Sequence, residues 1–189
     1  MQWHGRGGDD NMESRIVSTK FKYISENVLK VGLALLPNQN LLRYIHYLDE
    51  ENKHPLDPAL PDVSARNVKN DNFVFAHFNE EILTETKILI FFNPRHGRFS
   101  PKDALSEDIF QMDIIVPYAF WMIETGGTLE LRAYSIAYEI AKVLEEKSNI
   151  AGIGKLSIID YDSAKISDRY SRLTLFMKAS NFTFTGNKK

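Results

Sequence analysis

The chain of 189 residues contains no cysteine. That excludes disulfides, thiolate metal sites and cysteine nucleophiles together, and it fits a reducing cytoplasm or an intracellularly assembled particle better than secretion. An excess of positive charge is also missing. Lys plus Arg number 23 against 25 Asp plus Glu, a net charge of -2. No basic field therefore marks nucleic acid as the main partner, although a local patch can still touch phosphate. Long apolar runs are absent: stretches such as Lys87 to Phe92 and Ile114 to Val116 fall far short of the roughly 20 residues that span a bilayer. The N-terminus shows no charged-then-apolar signal pattern, so a soluble protein without a membrane partner is expected. His4, His46, His54, His77 and His96 are scattered without the i, i+4 pairing that aims two imidazoles at one ion. The phosphate loop G-x-x-x-x-G-K-[ST], the G-x-S-x-G elbow and the dinucleotide G-x-G-x-x-G are all lacking. NTPase, hydrolase and dinucleotide chemistry lose their usual warrant, and no metal and no cofactor are expected.

What is present suffices for one domain, long enough to bury roughly two thirds of its unfolded surface. Residues 1–14 are polar and glycine-bearing and read as a flexible tail, leaving 15–189 as the domain. Phe21, Ile24, Val28, Val31 and Leu35 fall at helical spacing until Pro37 ends the pattern. A second, short helix follows from Leu41 to about Tyr47, with Asn38 or Asn40 as its N-cap. His54 to Asn72 carries Pro55, Pro58 and Pro61 and reads as an extended wrapping arm, spanning 53–72.

Thr84 to Phe92 is predicted as a strand, with Ile88, Ile90 and Phe92 on one face and Leu89 and Phe91 on the other. Both faces want burial, and a second chain is the expected cover for the Leu89 and Phe91 side. Phe110 to Val116 is the next strand, and the charged stretch 93–109 between the two reads as a projecting loop. After a turn at Gly126-Gly127, Thr128 is placed as the cap of a helix over Leu129 to Leu144, with Glu130 near the positive end of its dipole. Gly152 and Gly154 close it, and strands at Leu156 to Tyr161 and Arg172 to Ala179 complete the chain. The fold class is α+β: a small mixed, mostly antiparallel sheet with a packed amphipathic helix and an N-terminal helical pair.

Four groups of residues invite a functional reading. Asp71, Glu85 and Lys87 have the residue types of a Mg²⁺-dependent nuclease, two carboxylates for the ion and a lysine beside the attacking water. An ordinary solvated strand end accounts for them better, because no flanking acidic or glycine context supports catalysis. Arg95, His96 and Arg98, with Phe99 beside them, can form a finger that grips carboxylate or phosphate and seats an aromatic anchor in a partner; a merely solvated loop is the competing reading. Tyr118, Phe120, Trp121 and Met122 form a dense apolar group suited to core or interface, and Trp is enriched in the latter. Asn181-Phe182-Thr183 matches a glycosylation acceptor but fits plain strand sequence in a cysteine-free chain.

From Asn38-Gln39-Asn40-Leu41-Leu42-Arg43-Tyr44-Ile45 through Pro55-Leu56, the Phe110 to Pro117 strand, the Leu129 to Leu144 helix and Gly152-Ile153-Gly154-Lys155-Leu156, the chain resembles neck proteins of tailed bacteriophages. The likeness covers roughly Lys20 to Phe184 and points to the tail terminator or tail-completion family. It rests on element order and transfers no catalytic residue. The resemblance implies a non-enzymatic subunit of a homo-oligomeric ring, commonly a hexamer. Such a ring caps the tail tube protein, meets the head-tail connector or head-completion protein, and lets DNA pass through its channel without specific recognition. It further implies a place in the virion neck, assembled in the host cytoplasm, with Arg95, His96, Arg98, Phe99, Leu89, Phe91 and Trp121 as interaction residues. A head-completion adaptor or stopper ring is the neighbouring alternative, since the arm and the 93–109 loop exceed the compact family pattern.

Overall fold

The computed structural model describes residues 25–50, 53–76, 83, 86–98, 107–146, 150 and 154–180. The proposed 1–14 tail, Phe99, Glu85 and the Asn181 sequon lie outside them. Helix α1 covers residues 25–35 and stops at a turn through Leu36 and Pro37, where proline cannot continue the ladder. Its inner stripe, Val28, Val31 and Leu35, is buried.

Helix α2 (Gln39–His46) is capped by Asn38, whose side chain accepts from the Leu41 amide at 3.1 Å. The same Asn38 amide donates to the Glu139 carboxylate at 2.9 Å. One residue thus starts one helix and ties it to another.

The proline-rich arm is structureless only in its first half. Residues Ala65–Asn72 form helix α3, a correction to the extended reading of 53–72. No proline follows Pro61 within the arm, Val68 is fully buried, and the Asn72 side chain donates to the Ile88 carbonyl at 2.7 Å. Those contacts stabilise a turn that the composition alone does not announce.

Strands β1 (Phe73–Val74), β2 (Leu89–Arg98), β3 (Glu107–Pro117), β6 (Lys155–Lys165) and β7 (Tyr170–Ser180) build a five-stranded sheet in the order β1-β2-β3-β7-β6. Only β1 against β2 is parallel. The first long strand was expected at 84–92 and lies several residues later. Thr86 and Lys87 form a bend, and Asn93 to Arg98 pairs with Glu107 to Gln111. The register slips between Pro94 and His96, a bulge that accommodates a residue with no amide to donate. Much of the expected projecting loop is therefore a continuation of the β2–β3 hairpin.

Strands β4 (Met122–Thr125) and β5 (Thr128–Leu131) form a separate hairpin, so Thr128 is not a helix cap and α4 begins later, at Arg132–Glu146. The reason is the turn. Gly126 and Gly127 both have positive φ, 58° and 81°, the conformation of a tight two-residue hairpin turn whose twist matches the flanking strands.

Helix α4 lies over β3, β7 and β6, and α2 packs beside it. Ala133, Ile136, Ile140 and Leu144 share the core with Phe110, Met112, Ile114 and Val116 of β3 and with Leu173, Leu175 and Met177 of β7. Full burial of Ile136 or Ile140 contributes about 2 kcal/mol each.

The other sheet face holds a second, small cluster of Leu89, Phe91, Ile115 and Tyr170, with Val74, Leu83 and Ile166 packed against it. Leu89 and Phe91 are already buried within the chain, so the cover expected from a second chain is supplied by the chain itself. Beside that cluster the face carries a buried polar group. Asp113, itself fully buried, accepts from Thr174 Oγ1 at 2.6 Å, Gln111 Nε2 at 2.9 Å and Asn93 Nδ2 at 3.1 Å. Phe91, Asp113 and Thr174 are cross-strand partners, which is why the three side chains share one face.

Candidate interaction surface

The strongest local chemistry sits where α2, the arm, the β4–β5 hairpin and the start of α4 meet. Arg132 is buried, and every nitrogen of its guanidinium donates to backbone. Nε reaches the Phe120 carbonyl at 2.9 Å, Nη1 those of Tyr44 and Tyr47 at 3.0 and 2.8 Å, and Nη2 that of Leu48 at 3.0 Å. Tyr44 and Tyr47 stand at the C-terminal end of α2, where carbonyls lack intrahelical partners and the helix dipole is negative. A fixed planar cation satisfies both demands. Burial lowers the Arg132 pKa to about 10, against the opposing influence of Tyr44 and Glu130, so it stays charged at neutral pH.

Glu130 is the neighbouring hub. Its carboxylate accepts from Ser135 Oγ at 3.0 Å and Tyr44 Oη at 3.1 Å and faces His54 Nε2 at 3.2 Å. Burial alone would raise this carboxyl, but the bonds from Ser135 and Tyr44 and the nearness of His54 outweigh it and hold it below its ordinary value. Tyr44 moves the other way, pushed up to about 12 by burial and by the adjacent Glu130 charge. The His54 ring also accepts from the Leu56 amide through Nδ1 at 3.1 Å, which assigns its proton to Nε2, facing Glu130.

Arg43 clamps the arm, donating to the carbonyls of Pro55 at 2.8 Å, Leu60 at 3.1 Å and Asp57. Tyr47 Oη donates to the Pro61 carbonyl at 2.8 Å, and Gln39 and Val63 exchange a pair of bonds at 3.0 and 3.1 Å. The arm's first half is thus bound to its own domain rather than extended toward another protein.

Outside this scaffold lies an apolar surface. On the hairpin, Met122 pairs with Leu131 and Glu124 with Leu129, so Met122, Leu129 and Leu131 point outward together; all three are exposed, Leu129 by 62%. The surface continues onto α4 through Tyr134 and Tyr138, one turn apart, and onto β6 through Tyr161. Half-buried Trp121 meets Tyr134 edge-on at 6.5 Å between ring centres, and Tyr134 meets Tyr161 in the same way at 6.4 Å. Arg132 holds this surface in place, because its amide donates to the Trp121 carbonyl at 2.9 Å while its side chain locks the preceding turn.

Trp121, which the sequence left between core and interface, is half-buried against the core at the edge of the exposed aromatic group. Arg95, His96 and Arg98 belong to the far end of β2, His96 opposite Ile109, Arg98 opposite Glu107 and Arg95 at the bulge, but their side chains lie outside the described residues. Asp71 is exposed on α3, and Lys87 is half-buried just before β2. Among the described residues no group of three or more His, Cys, Asp or Glu side chains could hold a metal ion. No described helix is long and apolar enough to cross a membrane. Arg132, Glu130, Tyr134 and Tyr161 were not foreseen. The alternation Met122-Ile123-Glu124 before Gly-Gly and Leu129-Glu130-Leu131 after it was the available signal, and a helical reading of Leu129 concealed it.

Fold and surface together define a small α+β protein whose sheet is covered by helices on one face and which shows an aromatic flank to solvent. Its residues 38–179 match the profile of the YomW family, and with most of the chain covered it belongs to that family, which is phage-associated. No curated protein matches it, and neither does any solved structure.

Proposed function

We propose that the chain is a structural subunit of a tailed-phage neck, a tail terminator that closes into a ring, caps the tail tube and joins it to the head connector. It works through assembly rather than catalysis, and DNA passes through the ring unread. The observation that supports this is the exposed aromatic surface from the hairpin across α4 to β6. A solvated monomer gains nothing from aligned Trp, Tyr, Met and Leu side chains in water, whereas an assembly subunit buries them. The far end of the β2–β3 pair, which carries Arg95 and Arg98, is suited to reach a further neck protein.

The test is phage assembly without this chain. Full heads and tails that accumulate separately, rejoining when purified protein is added, are expected. Normal yields of tailed particles without the chain would overturn the reading. Antibody label at the end of headless tails is the terminator outcome, and label on full heads the adaptor or stopper outcome. Metal-dependent DNA cleavage lost in Glu85→Ala would return the nuclease reading instead.

A further inference from the structure

We propose that the β4–β5 hairpin is a flap that opens as a unit on a fixed base, with Glu130 as its latch. The base is firm. Arg132 reaches four carbonyls with its guanidinium and the Trp121 carbonyl with its amide at 2.9 Å, and Trp121 packs against the core. Beyond that pair the attachment thins. The hairpin is a two-stranded sheet of its own, with no ladder to the five-stranded sheet, and of its strand residues only Ile123 is buried. A Cβ built at Gly126 or Gly127 would meet nothing beyond its chain neighbours within 4 Å, so the tip stands clear of the molecule. A crevice of about 210 Å³, lined by β4 together with Leu48, Asp49 and Lys53, leaves the hairpin room to move.

One carboxylate ties the body of the hairpin down. Ile123 and Glu130 are cross-strand partners and so point to the same, inner face. There Glu130 accepts from Ser135 of α4 at 3.0 Å and Tyr44 of α2 at 3.1 Å, and it faces His54 of the arm at 3.2 Å. Among the described residues no other side-chain hydrogen bond or ion pair joins residues 122–130 to the rest of the chain. A two-stranded hairpin alone is marginally stable in water, and segments with few buried contacts open at a fraction of the free energy of global unfolding. Hydrogen bonds to a charged acceptor are stronger than neutral ones, so losing this carboxylate releases the body while Arg132 keeps the base. Opening carries Met122, Leu129 and Leu131 away from Trp121 and Tyr134, so the exposed apolar surface is whole only with the latch closed. A partner that binds the whole surface therefore favours the closed form.

The test is native-state hydrogen exchange, read by NMR on the full chain. The reporters are the Ile123 and Thr125 amides, which the bond from the Arg132 amide to Trp121 places at hydrogen-bonded positions of the ladder, compared with central amides of β3 and β7. In the unaltered chain the hairpin amides should exchange through a local opening, well ahead of the core strands. Glu130→Ala should speed them roughly tenfold while changing β3 and β7 much less. Tyr44→Phe removes one bond to the latch and should give a smaller acceleration confined to the same amides, which keeps the test sharp if Glu130→Ala unfolds the chain. Hairpin amides that exchange no faster than the core, or that gain no more than the core in either folded variant, would overturn the proposal. The measurement needs no phage, so that result leaves the neck reading standing, and normal head-to-tail joining without the chain leaves the flap standing.

Discussion

The two faces of the one sheet are held by different physics. Toward the helices the strands present Ile90, Phe92, Met112, Ile114, Leu173 and Leu175 to a core that α4 closes with Ile136 and Ile140. On the other side four apolar residues, Leu89, Phe91, Ile115 and Tyr170, give way to a buried carboxylate satisfied by neighbouring strands. Area stabilises the first face, and any unpaired polar atom placed there is uncompensated. Hydrogen bonds to the Asp113 carboxylate stabilise the second, where the ladder already fixes the partners.

Ile140→Asp should separate the faces most sharply. It places an unpaired charge at a fully buried position and should cost about 4 kcal/mol or more, measured by denaturant unfolding. An unchanged melting temperature would show that α4 does not close the core.

Arg132→Met comes next, at about 3 kcal/mol, because it strands carbonyls of Phe120, Tyr44, Tyr47 and Leu48. Arg132→Lys should recover little of that, since an ammonium cannot span the same four acceptors. Full recovery by lysine would mean that charge, not the planar fork, holds α2 to the hairpin.

On the polar face, Asp113→Ala should cost about 2 kcal/mol and Asp113→Asn about 1 kcal/mol, as the amide oxygen keeps part of the acceptor role. If Asp113→Ala destabilised as much as Ile140→Asp, the contrast between the faces would collapse.

The smallest effect is one of pH. Glu130 is held below its ordinary carboxyl value of 4.5 in the folded state. Its stabilisation is therefore present above that unfolded value and lost as pH falls through the folded one. Glu130→Gln should be slightly less stable at neutral pH and show a shallower loss on acidification below it; identical pH profiles would remove Glu130 from the junction's support.

Much of this architecture was legible because local physics decided it. The α1 stripe of Val28, Val31 and Leu35 stops at Pro37 in sequence and in structure, and Asn38, one of the two caps the sequence offered, is the one that caps α2. The core side of β3 was visible as the alternation Phe110, Met112, Ile114 and Val116. Where competing local signals were close in strength, long-range contacts chose. Leu129 continued a plausible helical stripe into Ala133, but the Gly126-Gly127 turn and pairing with Met122 to Thr125 made it a strand residue facing solvent. Residues 65–72 had weak helical character until Val68 and Asn72 found places against the core and the Ile88 carbonyl.

The sequence by itself determined the α+β class, the caps and periodicities of the strongest elements, and the absence of cysteine chemistry, all properties of neighbouring residues. Tertiary structure alone decided that Leu89 and Phe91 are covered within the chain, that Arg132 gathers four carbonyls from two distant segments, and that Trp121, Tyr134 and Tyr161 form one surface. Those three outcomes depend on which residues meet across gaps of tens of positions, and periodicity within a single element carries no information about such meetings.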